Sequence, residues 1–215
     1  MKKFEIIIAV VSVIALVLSF LLVPHAGSAE TSTLLIYSMF YWIFSFALLN
    51  NVPFRDIFKK KAYKGIGWKR IVGAICTGYA LSVIITGIFL KFLFLPGALI
   101  TLLWGIICFL VIAIISVIKY EKNHSPFYAG ILKRIAIIGG LGIISLLLSS
   151  DMLIDVKYRN YPEYAKAMKD VRNNPRSIKL EKKLSEESIK MKYDGIKREE
   201  KLAELEKYFA LFDNE

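Results

Sequence analysis

Hydrophobic residues gather along this chain in five long runs, at residues about 4–23, 33–50, 71–95, 98–118 and 131–149. Each supplies roughly the 20 apolar residues that a helix needs to cross a hydrocarbon core about 30 Å thick. The runs are continuous rather than alternating, which predicts helices and not barrel strands. Beyond residue 150 the pattern turns charged, with apolar residues at steps of three and four. The expected fold is all-α: a polytopic membrane bundle over residues 1–150, then an amphipathic helical tail over residues 151–215.

The first run follows Lys2 and Lys3 and is interrupted only by Glu5. Gly27-Ser28-Ala29 resembles a signal-peptide cleavage site, but the apolar stretch 6–23 is longer than the core of a signal peptide. An uncleaved first helix is therefore expected. Residues 24–32 read as a short loop without a basic residue, and the second run is rich in aromatics, among them Tyr37, Tyr41 and Trp42. Pro96-Gly97 marks a tight turn between the third and fourth runs.

Small residues recur within the runs. Ala74, Gly78 and Ser82 share one face of the third, and Ala136 and Gly140, then Ser145 and Ser149, do so on the fifth. Such faces let helix backbones approach closely, where packing replaces the missing hydrophobic drive. The expected use is packing inside the chain, and the other is docking of a partner helix.

In the tail, Pro162 followed by Glu163 suits a first helical turn, and Asn173-Asn174-Pro175 suits its end. A second stretch starts near Ser177, breaks at Asp194-Gly195 and resumes from about residue 196. There Leu202, Leu205, Phe209 and Phe212 form one apolar stripe, with Glu200, Glu204, Lys197 and Lys201 on the polar side. The stripe needs a cover: the first tail helix, a membrane surface or another chain.

Composition agrees with two solvents. The chain is 56% hydrophobic, against roughly 45–50% in soluble proteins. No acidic residue lies between Asp56 and Glu121, whereas residues 151–215 hold 14 of the 18 carboxylates. The net charge of +11 does not point to nucleic acid, because the tail is nearly neutral with 15 Lys/Arg against 14 Asp/Glu. The excess lies in the N-terminus and the 51–70 and 119–134 loops, which hold 13 Lys/Arg, while the two loops of the other face hold none. Basic loops stay in the cytoplasm and touch anionic headgroups. The expected topology is thus a cytoplasmic N-terminus with an external tail, in a bacterial inner membrane. Cys76 and Cys108 would differ in depth by about 13 Å across the 96–97 turn, too far for a disulfide.

Candidate chemistry is sparse. Intramembrane ionisable residues usually mark sites, and Lys91 is the one charge well inside a predicted run. It lies near the outer interface, where its stem can snorkel, so structural anchoring is expected. His25 and His124 fall on opposite faces and cannot share a metal, and no Cys/His cluster has ligand spacing. Gly65-Ile66-Gly67 is too short for a phosphate loop. No catalytic residue, metal site or cofactor site is expected.

Lys91-Phe92-Leu93-Phe94-Leu95-Pro96-Gly97-Ala98, with Gly105 beyond, resembles the helical hairpin of the L subunit of the gliding-motility and type IX secretion motor. The likeness covers residues about 87–112. It implies a related hairpin with Lys91, Pro96 and Gly97 in structural positions, and a similar bacterial background. That family usually has a histidine three residues after the lysine, where this chain has Phe94, and its proton-coupled motor depends on a glutamate in the second helix. This hairpin has no carboxylate, so the resemblance argues against motor activity.

The expected role is a non-catalytic subunit, scaffold or assembly factor in the lipid bilayer, contacting a membrane-protein partner or a second copy through the tail. A small transporter or channel, as a monomer or homo-oligomer, is the alternative.

Overall fold

The computed structural model describes residues 1–22 and 25–210, in which helices are joined by turns and no strand occurs. They form two compact units, Met1–Leu148 and Ser149–Glu215.

Five helices of the first unit are long and apolar enough to cross a membrane: α1 Lys2–Phe20, α2 Ala26–Leu49, α3 Trp68–Phe92, α4 Ala98–Asn123 and α5 Pro126–Leu147. α3 packs against α2, α4 and α5, and α1 packs against α2. Ring contacts of Phe4 with Phe54, and of Arg70 with Phe127, bring the starts of α1, α3 and α5 and the end of α2 to one end of the bundle.

The core rests on close approach rather than on apolarity alone. A Cβ at Gly78 would lie 2.0 Å from the Ser45 Cβ and 2.6 Å from the Tyr41 carbonyl oxygen. The small face of Ala74, Gly78 and Ser82 is thus applied to α2. Ile84, fully buried, fits between two glycines. A Cβ at Gly105 of α4 or Gly142 of α5 would come within 2.7 Å or 2.6 Å of its side chain. On α5 the close approaches are at Gly139, against the Phe109 ring, and at Gly142, whereas a Cβ at Gly140 would touch nothing. Ala136 faces outward. The buried positions Ile131, Ile135, Ile138, Gly142 and Ser145 recur at steps of four and three, one residue out of phase with Ala136 and Gly140, and a π-helical turn spans Ile135–Gly139 among them.

Two helices begin earlier than hydropathy indicates. α2 starts at Ala26 because polarity there marks a wet helix end, not a loop. The hydroxyls of Ser28, Thr31 and Thr33 donate to the carbonyls of His25, Gly27 and Ala29 at 2.7, 2.9 and 2.8 Å. α5 starts at Pro126, which needs no amide partner in a first turn, and the Ser125 hydroxyl accepts from the Phe127 amide at 3.4 Å. Between α3 and α4, Gly97 takes φ +84°, a conformation that favours glycine, and its carbonyl accepts from the Thr101 amide at 3.0 Å.

In the second unit, α6 Ser150–Lys157 precedes α7 Pro162–Asn173, α8 Ile178–Lys192 and α9 Ile196–Ala210. α6 has no counterpart in the sequence expectation. It joins α7 through ion pairs of Asp155 with Lys169 and of Asp151 with Arg172, the latter at 2.7 Å. The Ser177 hydroxyl caps α8, and Gly195 at φ 56° separates α8 from α9. Along α9 Phe209 is buried and Leu202 and Leu205 are half-buried, while Phe212 lies outside the described residues.

Candidate functional site

Glu5, the lone acid of the first run, is buried one turn into α1. Arg134 of α5 grips its carboxylate with two bonds: Nε to Oε1 at 2.7 Å and a terminal guanidinium nitrogen to Oε2 at 2.6 Å. The Tyr41 hydroxyl of α2 donates to the same Oε1. The remaining terminal nitrogen of Arg134 donates to the Gly130 carbonyl at 3.0 Å. Three helices thus meet on one carboxylate, in a bidentate geometry that fits guanidinium and carboxylate shapes. Both side chains are largely withdrawn from the surface, at 14% and 11% exposure. A lone charge there would be costly, and each neutralises the other.

Beside this pair lies a cavity of about 460 Å³. Glu5, Arg134, Tyr37 and Tyr41 form its polar wall, Ile6, Ala9, Ile137 and Ile138 its apolar wall, and Lys2 and Lys133 are at its rim. Farther along the α2–α3 seam, the Ser38 hydroxyl is within 2.8 Å of both the Ser82 and Thr86 hydroxyls. These bonds and the Gly78–Ser45 approach fix an antiparallel register that sets Glu30 level with Lys91. Glu30 is fully buried, and Lys91 is buried rather than reaching outward.

The positions singled out by sequence are therefore scattered. Lys91, Pro96 and Gly97 lie at the α3–α4 turn, at the end of the bundle remote from Glu5. Ala74, Gly78 and Ser82 face α2, and Leu202, Leu205 and Phe209 belong to the other unit. His25 precedes α2 and His124 follows α4. Cys76 and Cys108 are both free thiols.

Sequence reasoning passed over Glu5 and Arg134. Hydropathy placed Arg134 in a polar loop, which hid its position about two turns inside a helix. The signal that could have found it is Ser125-Pro126, a helix start that pulls Arg134 into the fifth span. A single acid in one span and a single arginine in another then become each other's natural partner.

Compared with known proteins, the chain matches no family model, no curated protein and no solved structure.

Proposed function

We propose that this integral membrane protein is a non-catalytic subunit, scaffold or assembly factor that holds a partner through its helical tail. The observation that carries this reading is the surface of the tail. α8 has no buried residue and α9 only Phe209, and Ile178, Tyr193, Ile196 and Tyr208 expose large apolar surface on an otherwise charged unit. Exposed aromatic and aliphatic side chains within a charged surface are the composition from which contact patches are built.

The bundle supports the same reading. Both carboxylate oxygens of Glu5 are engaged by Arg134 and Tyr41, and the Ser38, Ser82 and Thr86 hydroxyls engage one another. Polar groups so disposed knit helices together. The basic end of the bundle, with Lys2, Lys3 and the 51–67 segment, would face the cytoplasm, and five crossings would then put the tail outside.

The test is deletion of residues 176–215. Loss of a co-purifying partner with normal membrane insertion is the expected outcome, and an unchanged set of partners rejects the tail as the contact module.

The cavity beside Tyr37 and Tyr41 favours a second reading, a small transporter. Replacing Tyr37, which lines that cavity, separates the two: loss of flux at normal expression supports transport, and indifference supports the scaffold.

A further inference from the structure

The cavity between α1 and α5 combines features that the ion pair alone does not use. Its inner wall is saturated, because the one carboxylate lining it is neutralised by Arg134. Its rim carries Lys2 and Lys133, both exposed and neither in an ion pair among the described residues. Its remaining wall is aliphatic. Ile6 and Ile137 have 62% and 56% of their surface uncovered by protein, on helices long enough to cross a membrane. A slot with apolar walls, open sideways to lipid and cationic at one end, has the polarity of a phospholipid molecule.

We propose that this slot is a binding site for an anionic phospholipid, with its phosphate between Lys2 and Lys133 and an acyl chain along Ile6, Ala9 and Ile137. The net charge of the lining selects the headgroup. Three cations oppose one carboxylate, and that carboxylate is already committed to Arg134. A zwitterionic headgroup would bring its own ammonium against the two lysines, so phosphatidylcholine should be disfavoured. Basic pockets between transmembrane helices at the membrane surface recognise anionic headgroups in this way. The π-helical turn starts at the residue after Arg134, so Lys133 and Arg134 precede it while Ile137 and Ile138 fall within it. One helix thereby supplies both the cationic rim and the apolar wall.

The experiment is native mass spectrometry of the full chain, released from mixed micelles containing phosphatidylglycerol and phosphatidylcholine of identical acyl chains. The wild type should retain one phosphatidylglycerol in preference to phosphatidylcholine. Lys2→Gln/Lys133→Gln, which leaves the Glu5–Arg134 pair intact, should weaken that retention by about 30-fold, each lysine contributing roughly fivefold near an anionic surface. Ala9→Phe, which narrows the apolar wall without touching a charge, should weaken it as well. Lys119→Gln/Lys122→Gln, which removes two cations that do not line the slot, should leave it unchanged. Equal retention of the two lipids, or a loss that the 119/122 variant reproduces, overturns the proposal. Displacement of phosphatidylglycerol by millimolar glycerol phosphate also overturns it, since that identifies a soluble anion as the occupant.

Discussion

Arg134 holds Glu5 across 129 residues of sequence, closing the bundle by joining its first membrane helix to its last. Glu5 stands in the first turn of α1 and Arg134 about two turns into α5, and Tyr41 of α2 shares the carboxylate.

Because each charge compensates the other, removing one should be far worse than removing both. Glu5→Leu or Arg134→Met alone is expected to lower the unfolding free energy by about 3 kcal/mol or more, and the two substitutions together should recover most of that loss. Reversible unfolding of the four proteins in one detergent measures the cycle. Additive losses would show that the pair is not coupled.

Gly78 leaves no room for a side chain. Gly78→Ala should destabilise the bundle by about 1–3 kcal/mol, because its Cβ would meet the Ser45 side chain and the Tyr41 backbone. Ser45→Gly should relieve only the first clash, and hence part of the loss. Full rescue would mean that the backbone contact yields freely.

The hydroxyl cluster between α2 and α3 should be weaker than its buried position suggests. Ser38→Ala is expected to lower stability by about 0.6 kcal/mol, the typical value for interhelical hydrogen bonds in membranes. A loss above about 2 kcal/mol in the same assay would assign this cluster a larger role than bonding two helices.

The second unit has a titration signature. Burial holds the Tyr164 phenol above its ordinary value, opposed in part by its hydrogen bond with Tyr158. The folded unit therefore keeps a proton that the unfolded chain releases above pH of about 10. Stability from this residue is complete below that pH and falls as pH rises past it. Tyr164→Phe should lose less stability between pH 9 and 11 than the wild type does, as followed by helical circular dichroism under denaturant. Parallel curves would place the alkaline sensitivity elsewhere.

Five membrane helices and a helical tail are legible in the sequence because hydropathy reports directly on length and continuity, the properties that lipid demands. The turn at Gly97 and the break at Gly195 were equally readable, since backbone geometry there singles out one residue type. Helix starts were not. Residues 26–32 and 126–130 are helical yet polar enough to resemble loops, because hydropathy registers where lipid ends, and helices continue past that point. The same blindness concealed the Glu5–Arg134 pair. Opposite charges from two distant spans cancel only in three dimensions, and along the chain each looks like an interruption.

The turn at Ile135–Gly139 holds one residue more than an α-helical path requires, so α5 carries a spare position. An α-helix advances about 100° per residue. Deleting a single residue within the turn would leave an unbroken helix and still cost the fold one of its two attachments. With Gly139 and Gly142 kept against Phe109 and Ile84, Arg134 would swing about a quarter-turn away from Glu5; with Arg134 kept in place, the glycines would leave their partners. The length of this span is thus fixed by the phase between a charge at one end and a packing face at the other, and not by the thickness of the membrane it crosses.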